Sequence, residues 1–238
     1  MEDQGRYEGD FKEEKFNGFG YLISPKGHKY LGQFKNGLIH GIGTLYFPGK
    51  KFKIYHGSFK YGKREGYGKM NYNSFGKEYT GYWKNGKKHG KGIMIYDMTT
   101  KYEGMWVNGK KHGFGVYESG KKKFRYTGEW KNNLFDGKGV LETLEKTKIF
   151  KYEGFFIKGK FKGQGKLLKD EFVYKGQFNN NIIEGVGTLI SKMNQRYTGG
   201  FKNSLFNGRG ILISQDGSYF VGEFTNGERN GVGEVFDK

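Results

Sequence analysis

Ten copies of one glycine-aromatic unit fill this chain, and so dense a repeat leaves no room for a second domain. Successive units open at Tyr7, Tyr30, Tyr55, Tyr79, Tyr102, Tyr126, Tyr152, Tyr174, Tyr197 and Phe220, a stepping of 22 to 26 residues that marks a solenoid-like array. Counting from the opening aromatic, glycine stands at +2, +11 and +13 in all ten units and at +7 in six, which uses 36 of the 43 glycines. A second aromatic stands at +4. All three tryptophans, Trp83, Trp106 and Trp130, occupy that position in adjacent central units. The array is expected over residues 7–236, with a short polar lead at 1–6 and a two-residue end at 237–238.

The span from the opening aromatic to the last glycine is constant, and every change in repeat length falls after it. A folded unit followed by an elastic linker is the implied design. Alternation at period two puts 0, +2 and +4 on one face of a strand, and +11, +13 and +15 on one face of a second. Two such strands around a glycine-bearing turn make a β-hairpin. With the turn centred on +7 and +8, the facing pairs are 0 with +15, +2 with +13 and +4 with +11. Tyr79 then faces Met94, Gly81 faces Gly92, and Trp83 covers Gly90, as aromatic rings do when they rescue glycine in sheets. The expected fold is all-β: an elongated, twisted single-layer antiparallel sheet of about ten stacked hairpins, about 95 Å long at roughly 4.8 Å per strand.

Zero cysteines exclude disulfides and thiolate metal sites and suit a reducing compartment. The acidic, polar opening stretch reads as no signal peptide, and no run approaches the apolar length of a membrane helix. His40, His89 and His112 all stand at +10, so their spacing is the repeat spacing and no metal site is expected. No nucleophile, base and orienter can be assembled, and no cofactor or catalysis is expected.

These residues resemble the MORN (membrane occupation and recognition nexus) repeat, whose unit looks like Tyr-x-Gly-x-Trp-x-x-Gly-x-x-His-Gly-x-Gly. Tyr79 to Gly92 and Tyr102 to Gly115 match it throughout; units 1 to 3 and 7 to 10 carry Phe at +4, and unit 10 opens with Phe220. The resemblance implies stacked hairpins whose opening and +4 aromatics line a groove. It also implies a non-catalytic scaffold or adaptor with protein partners in a cytoskeletal assembly, the ciliary axoneme and radial spoke or the cortical cytoskeleton of a protist. Its implied alternative is a peripheral membrane adaptor holding anionic lipids such as phosphoinositides. Either reading places the protein in the cytoplasm.

Two departures from uniformity point to sites. The first is the aromatic set of units 4 to 6, Tyr79, Trp83, Tyr102, Trp106, Tyr126 and Trp130, residue types that act as binding hot spots; these are the expected partner groove. The second is charge. The chain carries a formal +18, and residues 50–165 hold 27 Lys or Arg against 10 Asp or Glu. One basic set recurs at turn positions, Lys63, Arg64, Lys87, Lys88, Lys110 and Lys111; a second, Lys50, Lys51, Lys53, Lys121, Lys122, Lys123 and Arg125, falls in linkers on the opposite edge. Such a patch suits an anionic membrane surface or an acidic protein. Nucleic acid is disfavoured, because Lys outnumbers Arg by 36 to 6 and shaped phosphate pockets call for Arg. An unpaired final strand near Gly233 to Phe236 adds the expectation of a tail-to-tail homodimer.

Overall fold

In a computed structural model, residues 5–49, 53–72 and 76–237 are described, and they contain strands, turns and bends but no helix. Two compact units, 1–121 and 122–238, each hold five hairpins. The first unit contains β1 (Arg6–Lys12), β2 (Lys15–Ile23), β3 (Lys29–Lys35), β4 (Leu38–Phe47), β5 (Lys53–Lys60), β6 (Lys63–Asn71), β7 (Glu78–Lys84), β8 (Lys87–Asp97), β9 (Thr100–Val107) and β10 (Lys110–Ser119). The second contains β11 (Phe124–Lys131), β12 (Leu134–Thr143), β13 (Phe150–Ile157), β14 (Lys160–Lys169), β15 (Phe172–Asn179), β16 (Ile182–Ser191), β17 (Arg196–Lys202), β18 (Leu205–Ile213), β19 (Tyr219–Thr225) and β20 (Glu228–Phe236). Within each unit the strands pair antiparallel in chain order. Residues 1–4 of the expected lead and Lys238 of the expected end lie outside the described residues.

The fourth repeat shows why the sequence folds this way, and where the expected register fails. Tyr79 faces Met94 and Gly81 faces Gly92, as the alternation requires, but Trp83 faces Lys88 and not Gly90. The turn is centred one residue earlier than expected, on Asn85 and Gly86, both at positive φ (49° and 76°). Those angles suit a two-residue type I′ hairpin turn, for which Asn-Gly is the preferred sequence. The early turn leaves Tyr82 alone opposite His89, Gly90 and Lys91, a bulge. Gly90 sits at φ 64°, and the +11 glycine is at positive φ in every repeat. Its role is therefore conformational.

Across the seam between repeats the bulge is resolved. Gly90 pairs with Trp106 of the following repeat, and Gly66 likewise with Trp83. The aromatic–glycine pair expected inside a hairpin thus forms between hairpins. Inside the hairpin the glycines are covered by the opening tyrosine instead: a Cβ on Gly81 would lie 2.7 Å from the Tyr79 hydroxyl and 2.5 Å from the Gly92 Cα. The turns are stitched as well, for the Gly86 N–H donates to the Arg64 carbonyl at 3.0 Å and the Gly109 N–H to the Lys88 carbonyl at 2.8 Å.

Candidate functional site

The six aromatics of the expected groove lie in the interior. Tyr79, Trp83, Tyr102 and Trp106 in the first unit and Tyr126 and Trp130 in the second are all buried, with Trp106 at 2% exposure. Each +4 ring stands edge-on to the opening ring of its own repeat, at 5.1 Å for Tyr79–Trp83 and Tyr102–Trp106 and 5.2 Å for Tyr126–Trp130. It also reaches the preceding repeat: Trp83 to Tyr55 at 5.4 Å and Trp106 to Tyr79 at 5.5 Å. Indole N–H groups of Trp83 and Trp106 donate to the carbonyls of Gly68 and Gly92. A single layer of hairpins has little else to build a core from, so these rings supply it.

What covers the rings is position +9, which the repeat pattern does not single out. Phe16, Phe135, Phe161 and Phe206 stack on their opening tyrosines at 3.7 to 3.8 Å. In repeats three to five the covering residue is a cation, as it is in repeat ten, where Arg229 lies 4.7 Å over the Phe220 ring. Arg64 lies 4.3 Å over the Trp83 ring and donates to the Gly86 carbonyl. The Lys88 ammonium is 4.4 Å from the Trp106 ring centre, 5.2 Å from Tyr79 and 5.7 Å from Tyr72. Lys111 is 4.2 Å from Tyr117, 5.1 Å from Tyr102 and 5.5 Å from Tyr96. Burial pushes Lys88 down to about 8, helped by Lys77, and Lys111 down to about 8, helped by Lys88; it lowers Arg64 too. Beside them burial raises Tyr72, and Tyr96 to about 12. The ring faces return part of what the cations lose in hydration.

The turn-position basic residues therefore split in two. Lys63, Lys87 and Lys110 are exposed at the turn edge, whereas Arg64, Lys88 and Lys111 are half-buried over the aromatic core. Of the linker set, Lys121 pairs with Asp97 at 3.1 Å, Lys123 with Glu145 at 3.6 Å, and Lys122 is exposed. Arg125 lies inside β11 and Lys53 opens β5, so neither is in a linker. Lys53 rests over Phe47 at 4.4 Å, while Lys50 and Lys51 lie outside the described residues.

Position +10 serves the next repeat's turn. Glu65 accepts from the Asn85 N–H at 2.8 Å and Asp136 from the Lys158 N–H at 3.1 Å. His40 and His89 occupy the same position with Nδ1 buried and unpartnered. Among the described residues no group of three His, Asp or Glu could hold a metal.

The opposite face carries a second feature. In four repeats a polar +3 side chain locks the bulge by accepting from the +12 N–H: Asp10 from Phe19, Gln33 from Ile42, Glu129 from Lys138 and Gln177 from Val186, at 2.9 to 3.1 Å. Repeats four and five put Tyr82 and Met105 there, and no such lock can form. Tyr82 instead meets Tyr67 edge-on at 5.4 Å, and both rings are more than half exposed. With Ile93, Met105, Phe114 and Val116 they line a depression of about 520 Å³. The signal available in the sequence was position +3, where repeats four and five carry Tyr82 and Met105 in succession while Asp10, Gln33, Glu129, Gln177 and Glu223 are polar.

A family model described as MORN repeat matches residues 7–29, 30–50, 55–76, 79–99, 102–122, 126–142, 152–169, 174–196, 197–219 and 220–234. No curated protein matches the chain.

Proposed function

The chain belongs to the MORN repeat family, a class of repeat proteins often engaged in protein–protein or membrane interactions, and from that premise we propose that it is a non-catalytic scaffold for protein partners. The observation that carries the reading is the surface of repeats three to five, where Tyr67, Tyr82, Ile93 and Phe114 are exposed together on one face. Clustered apolar side chains left in water mark a contact surface, and here Tyr82 stands where a polar side chain locks the bulge in other repeats. The assembly it serves is cytoskeletal, axonemal and radial-spoke or cortical, on the strength of the family resemblance, with a cytoplasmic location. The aromatic groove enters this proposal in altered form, since its six rings are the floor beneath Arg64, Lys88 and Lys111. A native pull-down from the source cells tests it: co-purifying cytoskeletal proteins that are lost with Tyr82→Ser and Phe114→Ser support the reading, and retention of every partner by that folded variant removes it.

A second reading has its own observation. Exposed Lys63, Lys87 and Lys110 stand at successive turns, a row that suits an anionic lipid surface at about 1 kcal/mol per basic residue. Salt-sensitive co-sedimentation with anionic but not neutral vesicles would favour it. Self-association through β20, exposed along its whole length, completes the proposal; a strictly monomeric species by light scattering at tens of micromolar removes that part.

A further inference from the structure

Nothing in the packing of the opening rings requires charge above them. Within the same chain, Phe16, Phe135, Phe161 and Phe206 do that work by stacking, and Ile39 and Ile183 hold the same position in repeats two and eight. Repeat ten has an exposed Arg229 there, but repeats three, four and five put Arg64, Lys88 and Lys111 there half-buried, giving up hydration to do so. Among the described residues no carboxylate lies within ion-pair reach of Arg64 or Lys88. The three cations fall in consecutive repeats of one compact unit, on one face, beside the hydroxyl-bearing rings of Tyr72, Tyr96 and Tyr117.

Their spacing is set by the sheet. One repeat is two strands, about 9.6 Å across. A polyproline-II chain advances about 9.3 Å in three residues. An extended peptide crossing the strands would therefore bring every third side chain over a new repeat.

We infer that Arg64, Lys88 and Lys111 form a docking row for an extended acidic segment of a partner protein, whose carboxylates, one in every three residues, meet successive repeats. The inference rests on the scaffold reading and names the chemistry of its partner. A linear chain suits the row better than a lipid surface does, because the cations are half-buried among rings, while the exposed Lys63, Lys87 and Lys110 are what a flat surface would meet first. At Arg64 and Lys88 an entering carboxylate meets a cation that no carboxylate neutralises among the described residues, with tyrosine rings bearing hydroxyls close by.

The full chain tests this with two synthetic peptides of identical composition, one with glutamate at every third position between serines and prolines, the other with its glutamates contiguous. Fluorescence anisotropy should show the spaced peptide binding at least about tenfold tighter. The triple variant Arg64→Ile, Lys88→Phe, Lys111→Phe uses residues that other repeats already carry at this position, and it should stay folded by circular dichroism while losing that preference. Should it aggregate, Lys88→Met with Lys111→Met gives the same readout with side-chain length kept. Equal affinity for the two peptides overturns the row, as does unchanged binding by a folded variant. Variant-sensitive binding to phosphatidylserine vesicles or to a single-stranded oligonucleotide, with no peptide binding, overturns it in favour of that ligand. A pull-down in which the triple variant keeps every partner sinks the row and leaves the scaffold standing; one in which the wild-type chain captures no protein sinks the scaffold itself.

Discussion

The Tyr79 hydroxyl donates to the carbonyl of Tyr82 at 3.0 Å, three residues along its own strand. That carbonyl belongs to the lone residue of the bulge, which the register shift takes out of the regular ladder, and the phenol satisfies it from above. The same bond, at 2.8 to 3.1 Å, recurs in all nine repeats that open with tyrosine. One side chain thus covers two glycines and closes the bulge.

Tyr79→Phe keeps the ring and removes the bond, so it should cost about 1 kcal/mol and leave the circular dichroism spectrum unchanged. Phe220, which opens the tenth repeat without a hydroxyl, shows that the ring alone can fill the position. A midpoint of denaturation equal to that of the parent would mean the bond contributes nothing.

Gly81→Ala should be far worse than an ordinary strand substitution. Its Cβ would lie 2.5 Å from the Gly92 Cα and 2.6 Å from the Lys91 carbonyl oxygen, backbone atoms that cannot step aside. Overpacking of this kind costs about 1–3 kcal/mol or more. Gly86→Ala is the control, because only the far end of the Arg64 side chain stands near; it should lose no more than about 1–2 kcal/mol, from its positive φ alone. Equal losses at the two sites would contradict the packing described.

Trp106→Ala removes a side chain buried on both sides of a seam and should cost about 3–5 kcal/mol. Trp106→Phe, the residue seven other repeats carry there, should cost much less. Thermal melts of the pair decide between a core role and a contact role: an alanine variant as stable as the parent would return the tryptophan to the surface.

Alkaline titration should show two opposed effects. Burial holds the opening tyrosines above their usual 10.0, with Tyr30, Tyr152 and Tyr174 at about 12. Between pH 10 and 12 the unfolded chain releases these protons first, binds fewer than the folded one, and stability falls as pH rises. Lys88 and Lys111 act in the other direction: at about 8 when folded against an ordinary 10.5, they leave the unfolded chain binding more protons between those values, and stability rises. Denaturant midpoints should hold or climb slightly to about pH 10 and then drop steeply. A midpoint still climbing at about pH 11 would show that the phenols are not buried in the way described.

Much of this is legible in the residues. The opening tyrosines, the glycines at +2 and +13 and the apolar residue at +15 pair as alternation requires, because nothing interrupts the ladder between them. Trp83 escapes period-two counting because such counting assumes one residue per rung on both strands, and a bulge breaks that assumption without any change in residue type. The cue lies in Asn36-Gly37, Asn85-Gly86, Asn108-Gly109 and Asn226-Gly227: each is a type I′ turn signal centred one residue before the turn that alternation implies. The burial of Trp83 and Trp106 follows from the same slip, since each ring packs across a seam invisible to a single-hairpin reading. Lys88 is legible as charge but not as cover, because a lysine's depth depends on the ring beneath it.

Inside each compact unit a +4 ring finds its glycine on the hairpin before it, and this sets an order in time. As the chain leaves the ribosome, the second strand of a repeat still lacks the ring that will cross its +11 glycine, and receives it only when the first strand of the next repeat emerges. Folding is then a ratchet in which the first strand of every new repeat within a unit completes the hairpin before it. Until translation moves on, the nascent sheet is always one ring short.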